Sequence, residues 1–226
     1  MDLSDLNRQK VLIRWNNLHK KQSEKINFNR LMMARLCGFL AGDGSVKIRT
    51  EKSGKVHHTL EFFPDDISIL KSFVEAFEKI YSKIPVVEKH KNYFRLRVYS
   101  KVIVNHILNY SDFGLFFWSV PTSLLTDLDS KREWLRAYFD AEGYVGKNHI
   151  KVQSVNQLGI LGVHRLLLDF GIASKLFEYQ PKQKNWNKVY ILQILKKEDR
   201  IKFSTYIGFN HKKKLNKLLS ILGNNK

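Results

Sequence analysis

From Phe28 onward, apolar and small residues recur at helical spacing. Phe28, Leu31, Ala34, Gly38, Ala41 and Gly42 make one stripe, with Asn27 in a capping position before it. The period then shortens to two. In "SVKIRT" at 45–50, Val46 and Ile48 alternate with Lys47 and Arg49; "SGK" at 53–55 turns the chain into a second strand, "VHHTLEFF". An amphipathic helix follows in "DDISILKSFVEAFEKIY", with Asp65 or Asp66 at its start, where a carboxylate caps the helix and suits its dipole. "VVEKH" at 86–90 reads as a short strand. "YFRLRVYS" at 93–100 is an alternating strand with Arg95 and Arg97 on one face, and "KVIVNHIL" is a short helix. Residues 109–130 hold Gly114, Pro121 and few helix signals, as a connection between domains would.

The pattern then starts again. "LRAYFDAEGYV" at 135–145 aligns with "LCGFLAGDGSV" at 36–46, so that Asp43 falls on Glu142 and Gly44 on Gly143. After it come the strand-like "GKNHIKVQS", an amphipathic helix in "NQLGILGVHRLLLDFGI" that stops at Gly171, the strand "KVYILQILKK" and a helix in "DRIKFSTYI". The chain is therefore a pseudo-duplication of two copies of about a hundred residues each, too few to form a solenoid. We divide it into a basic N-terminal extension (1–27), a first half-domain (28–110), a linker (111–130) and a second half-domain (131–226). The fold class is α+β.

Charge narrows the possible partners. The 226 residues include 39 Lys and Arg against 21 Asp and Glu, a net of +18. Such an excess steers polyanions at long range, and nucleic acid, held mainly through its phosphates, is the leading candidate. A single cysteine, Cys37, excludes an internal disulfide and any multi-cysteine zinc site, and fits a reducing, intracellular setting. Neither a signal-type run at the start nor a transmembrane-length apolar segment is present, so the expectation is a soluble, unsecreted protein with no membrane partner.

Both copies of the motif share one physical design. Small residues four apart, Gly38 and Gly42 in one and Ala137 and Ala141 in the other, lie on one helix face and let two backbones approach closely. If the two helices pack together, Asp43 and Glu142 meet at their C-terminal ends. Two carboxylates that close repel unless a cation joins them. Hard oxygen ligands at an open site suit Mg²⁺, and beside a basic nucleic-acid surface this arrangement suits metal-assisted phosphodiester hydrolysis.

The chain resembles the LAGLIDADG homing endonucleases in their single-chain, two-motif form. The resemblance rests on Leu36-Cys37-Gly38-Phe39-Leu40-Ala41-Gly42-Asp43-Gly44 and Leu135-Arg136-Ala137-Tyr138-Phe139-Asp140-Ala141-Glu142-Gly143, and extends over roughly residues 30–222, including "FGI" at 170–172 and "IGFNHKKKL" at 207–215. It implies a curved antiparallel sheet in each half, the two forming a saddle over DNA with the motif helices at the domain interface. It further implies metal binding by Asp43 and Glu142 with the carbonyls of Gly42 and Ala141, and cleavage of both strands of a long target by a monomer.

The resemblance also implies a lysine beside the scissile phosphate. Lys214 fits in the second half, with Lys212 and Lys213 close by, whereas "DFGLFFWSVP" in the first half offers none. Arg136 and Tyr138 are bulkier than the family pattern, which predicts looser packing of the second helix; Asp140 is expected to be a cap. On the DNA face we expect Lys47, Arg49, Arg95, Arg97, Lys151 and Gln153, residue types able to read base edges in the major groove. Two alternatives use the same fold: an RNA-binding maturase acting on its host intron, and a non-cleaving DNA-binding regulator. Presence of both acids favours catalysis over either.

Overall fold

The computed structural model describes residues 3–183 and 185–223. Among the described residues, no helix is long and apolar enough to cross a membrane. The extension forms α1 (Leu3–Glu24). The first repeat is α2 (Arg30–Asp43), β1 (Gly44–Thr50), β2 (Val56–Phe62), α3 (Ile67–Tyr81), β3 (Val86–Lys89), β4 (Phe94–Tyr99) and α4 (Lys101–Leu108). The second is α5 (Leu128–Glu142), β5 (Tyr144–Val145), β6 (Ile150–Ser154), α6 (Gln157–Asp169), β7 (Lys175–Tyr179), β8 (Val189–Ile194), α7 (Lys197–Tyr206) and a further helix, α8 (Lys212–Gly223). Each repeat folds its strands into one four-stranded antiparallel sheet, in the orders β1-β2-β4-β3 and β5-β6-β8-β7. The matching orders make the duplication structural: α+β halves of one topology.

Burial explains the element boundaries. Helix α2 starts at Asn29, whose side chain accepts from the Met32 backbone N–H at 3.1 Å, two residues later than the expected Asn27 cap. Asn27 instead donates its own N–H to the Ile80 carbonyl. Phe28 and Leu31, expected in the buried stripe, lie on the exposed side, whereas Met33, Ala34 and every residue from Leu36 to Ala41 are buried. A helix buried all round has protein on every side. On one side of α2 is its own sheet and α3, where Phe39, Phe62, Phe73 and Phe77 stack at centroid distances of 4.5–6.1 Å. On the other is α5.

The connection from Asn109 to Asp127 is packed rather than loose, with Phe113, Trp118, Leu124 and Leu125 all buried. Trp118 reaches into the second half against Trp134 and Tyr138. Helix α5 begins at Leu128, inside the stretch expected to be linker, because Asp127 and Ser130 form a reciprocal capping box there.

Helices α2 and α5 touch backbone to backbone. A Cβ added at Gly38 would overlap the Trp134 carbonyl and lie 2.9 Å from the Ala137 Cβ; one added at Gly42 would lie 2.5 Å from the Ala141 Cβ. The expected loosening of the second helix does not occur, because neither bulky residue faces the seam. Arg136 turns away, donating to the Ile207 carbonyl at 2.6 Å and pairing with Glu133 at 3.1 Å. Tyr138 is fully buried and stacks on Trp134 at 5.2 Å. A half-buried ion pair, Arg35–Glu133 at 2.7 Å, joins the halves at mid-helix.

Gly38→Leu should therefore destabilise the whole molecule. Overpacking costs about 1–3 kcal/mol even where side chains can shift, and backbone cannot shift as easily. A loss of about 3 kcal/mol lowers Tm by roughly 6–12 °C in a chain of this size. Gly114→Ala, where an added Cβ meets nothing within 4 Å, is the control and should leave Tm nearly unchanged. Equal melting of both variants and wild type in calorimetry would place Gly38 outside the seam.

Candidate active site

The seam decides where the two motif acids go. Asp43 is the last residue of α2 and Glu142 the last of α5, so the contact of Gly42 with Ala141 carries them to one place. A Cβ at Gly42 would stand 3.2 Å from the Glu142 Cγ. Both carboxyls titrate high. Burial, offset in part by Lys214, pushes Asp43 up to about 6. Burial, and then the charge of Asp43, pushes Glu142 up to about 7. Lys214 offsets only part of either shift, so burial dominates both.

Lys214 is the nearest cation, and the fold positions it through Asp140. This buried carboxylate accepts from the backbone N–H groups of Asn210 at 2.8 Å and His211 at 2.9 Å, capping the start of α8. The expected capping role of Asp140 is thus seen, and its object is the helix that carries the lysine. Burial raises Asp140 to about 7 despite those bonds. From α8, Lys214 points back at the C-terminus of α5, with Nζ donating to the carbonyls of Asp140 at 2.6 Å and Ala141 at 2.7 Å, where an ammonium suits the helix dipole. Burial lowers its pKa, while Asp65, Asp43, Asp140 and Glu142 oppose that shift. Lys212 and Lys213 are exposed on α8.

Sequence reasoning passed over the surroundings of α8. His211 is buried 3.6 Å from an Asp65 carboxylate oxygen and 3.8 Å from one of Asp66, and Ser68 Oγ donates to the Asn210 carbonyl at 3.2 Å. The start of α3 in one half thus holds the start of α8 in the other. Only the cap signal at "DD" hinted at this. On the opposite side of the acids, a cavity of about 270 Å³ is lined by Gly42, Ser45, Lys47, Tyr138, Glu142 and Ser154. Tyr138 Oη is buried without a hydrogen-bond partner, and Lys47 is the cation of this lining.

Strand register sorts the remaining candidates. Because Lys47 pairs with Thr59, Arg49 with His57, Arg97 with Glu61 and Arg95 with Glu88, all four expected basic residues share one face of the first sheet. They are not equivalent on it. Arg95 is held by Glu61 at 2.5 Å and Arg97 by Glu88, whereas Lys47 and Arg49 are exposed. The second sheet presents Lys151 and Gln153 beside Tyr144, Gln193 and Phe177, a face with fewer charges. Lys151 lies over the Tyr144 ring at 5.2 Å. Glu61, Glu88, Tyr144, Gln193 and Phe177 are face residues that the sequence did not single out; their strand alternation carried the signal.

The donor set fits a hard divalent cation. Two carboxylates and adjacent helix-end carbonyls offer only oxygen, and burial of the two carboxyls makes a cation beside them favourable. Among the described residues, no group of three or more His, Cys, Asp or Glu is placed to hold a metal, so solvent or substrate oxygens must complete the shell, as Mg²⁺ sites allow.

Comparisons with known proteins bear on the fold. Residues 129–208 match the family of LAGLIDADG-like domains. The chain is 30% identical over 195 residues, 84% of its length, to the replication factor C small subunit of Methanocaldococcus jannaschii, but spans only 10% of that relative. Among solved structures it is similar to I-DmoI in complex with DNA and Mn, with TM-score 0.64, 18% identity, and coverage of 79% of this chain and 96% of that one. It is also similar to full-length DUF199/WhiA from Thermatoga maritima, with TM-score 0.55, 16% identity, and coverage of 92% and 66%. At those identities the structural likenesses speak for the fold. The sequence match lies on the second repeat, and the first repeats its motif and sheet order; the chain therefore carries a LAGLIDADG-like domain in its second half, within the two-repeat fold that I-DmoI also has.

Proposed function

We propose that this protein is a site-specific endonuclease that hydrolyses one phosphodiester bond in each strand of a long duplex DNA target, using divalent cations, with Mg²⁺ the natural one. One observation carries the reading: the family's two motif acids end two helices in backbone contact, with a lysine directed at the same point. The replication factor C relative contributes nothing to this reading, since the chain spans a tenth of it. The DUF199/WhiA likeness is compatible with a non-cleaving role on the same fold; the retained Asp43–Glu142 pair favours cleavage.

The residues divide the work. Both sheets' open faces receive the duplex, with phosphates drawn in by the +18 charge and base edges met by Lys47, Arg49, Arg95, Arg97, Lys151 and Gln153. Asp43 and Glu142, with the carbonyls of Gly42 and Ala141, are the residues that would hold the cation. When bound, a divalent cation supplies charge neutralisation at the phosphate under attack. Lys214 places its ammonium beside the second-half end of the site and stabilises charge that develops on the phosphate oxygens. Burial keeps that ammonium close to the acids and reduces the screening that would weaken it. The first half has no counterpart of Lys214 on a capped helix. On that side Lys47 lines the same cavity as Glu142.

Asp43→Asn and Glu142→Gln should each abolish double-strand cleavage, by on the order of a hundredfold or more in rate, while leaving duplex affinity within a few fold. The assay is plasmid linearisation with Mg²⁺, on a target that the protein itself selects from a randomised library. Full cutting by both variants would remove the acids from the mechanism.

The acids also predict a pH signature without substrate. Their folded pKa values lie above the ordinary 3.8 and 4.5, at about 6 and about 7. Between roughly pH 4 and 7 the unfolded chain therefore releases these protons before the folded one does, and stability falls as pH rises through that window. Metal-free protein should lose Tm across it, and Mg²⁺ should restore Tm above pH 7. The double variant Asp43→Asn, Glu142→Gln should show less of the loss and no restoration. A wild-type Tm indifferent to Mg²⁺ at pH 8 counts against the cation site.

Unequal support in the two halves predicts unequal strand cutting. Lys214→Met should slow one strand by roughly a hundredfold and accumulate nicked plasmid, whereas Lys212→Met and Lys213→Met, on the exposed side of α8, should linearise nearly as fast as wild type. If no nicked species builds up with Lys214→Met, the lysine does not act at a scissile phosphate.

A further inference from the structure

Helix α1 is the element that neither the paired half-domains nor the active site uses. Its 22 residues run about 33 Å. It is tied down near its C-terminal end. There Trp15, Leu18, His19 and Gln22 line a groove with Val56, His57, His58, Tyr99, Ser100 and Lys101, and Ser100 Oγ donates to Gln22 Oε1 at 3.4 Å. Before that groove, Val11, Leu12 and Ile13 are all more than half exposed. Most helical stability in proteins comes from tertiary packing, so this much exposed helix surface points to a partner.

Its charges are arranged rather than scattered. Lys10, Arg14, Asn17 and Lys21 follow one another at i, i+4, i+7 and i+11, with Ile13 and Leu18 between them in the same shallow groove, so the polar heads stand in one row along the helix beside an apolar strip. All four are exposed, and none of the three cations pairs with an acid among the described residues. The ridge spans about 16 Å. Its position is as informative as its charge. The residues on which α1 docks include His57 and Tyr99, which share the open face of the first sheet with Lys47, Arg49 and Arg97. Helix α1 also touches α4, so it docks at the strand ends of that sheet, where a duplex seated on the open face would come within its reach.

We propose that α1 is a second DNA-binding element, whose ridge of Lys10, Arg14, Asn17 and Lys21 lies along the phosphate backbone of duplex DNA flanking the first half's portion of the target. This rests on the DNA-binding reading above and extends the footprint beyond the two sheets. The contact is made to phosphates, which position the protein and carry no sequence information. It lengthens residence near the site and adds to the salt dependence of binding.

The test is a salt titration of affinity for a random-sequence 60-base-pair duplex, followed by fluorescence anisotropy. Three proteins are compared: wild type, the triple variant Lys10→Ala, Arg14→Ala, Lys21→Ala, and a charge-matched control, Lys71→Ala, Lys79→Ala, Lys83→Ala, on and just after α3 behind the sheet. Alanine favours helix, so the ridge variant keeps its fold, which circular dichroism verifies. The ridge variant should lower the slope of log affinity against log salt by about 2–3 and the affinity at moderate salt by about tenfold or more, while the control changes the slope by less than one. Lys10→Arg with Lys21→Arg should bind like wild type. Equal slopes for wild type and the ridge variant, with wild type still binding, overturn the role of α1 and leave the endonuclease reading intact. An equal loss in the control reduces the effect to net charge and also overturns it, as does a ridge variant that loses duplex RNA but keeps duplex DNA. Wild type that fails to bind the duplex at any salt sinks the functional reading and this one together.

Discussion

Everything at the centre of this molecule depends on two helices meeting without side chains between them. Packed helices ordinarily stand 8–10 Å apart, separated by the side chains they interleave. At Gly38 and Gly42 there is no room even for a methyl group against Trp134, Ala137 and Ala141. That approach does two things at once. It joins two half-domains into one body, and it brings the last residue of each helix to a common point. The same contact that stabilises the fold therefore creates an unfavourable electrostatic situation, with Asp43 and Glu142 brought to one place, both carboxyls raised chiefly by burial and Glu142 raised further by the charge of Asp43. Fold and site are coupled because they share atoms.

Relief of that strain comes in stages along the chain. Asp140, three residues after the seam contact of Ala137, caps α8; α8 carries Lys214; and Lys214 returns to the carbonyls at the end of α5. The loop closes on the second motif helix, so one helix both holds an acid and sets the cation beside it. The start of α3 clasps the start of α8 through His211, which brings the first half into the same network. What remains uncompensated is the charge that a hard divalent ion would supply.

The two halves share topology but not surface. In the first sheet Arg95 and Arg97 are held in place by Glu61 and Glu88, so their guanidinium groups are presented in fixed orientation and with their charge partly balanced. In the second, Tyr144, Phe177 and Gln193 stand around Lys151 and Gln153, and contact there is more apolar. On the proposed reading, the two ends of a target are recognised by different chemistry. The site is then asymmetric for the same reason that a single chain, free to vary its copies separately, differs from a symmetric dimer.

Much of this was legible in the sequence because it repeats. The alignment of "LCGFLAGDGSV" with "LRAYFDAEGYV" picked out the seam residues, the paired acids and the duplicated α+β halves, since a helix face with small residues four apart has few other uses when it occurs twice. Strand alternation placed Lys47, Arg49, Arg95 and Arg97 on one face because a period of two leaves no other choice. The sequence could not show which charges on that face are paired, because Glu61 and Glu88 meet their arginines across strands, through a register that only sheet formation decides. Nor could it show that α2 is buried on all sides, that Arg136 turns outward while Tyr138 turns in, or that Lys214 alone of three adjacent lysines faces the acids. Those outcomes depend on the angle at which one helix crosses another and on which face of α8 Asp140 pins down. Local pattern determines what each segment is, and only packing determines what it meets.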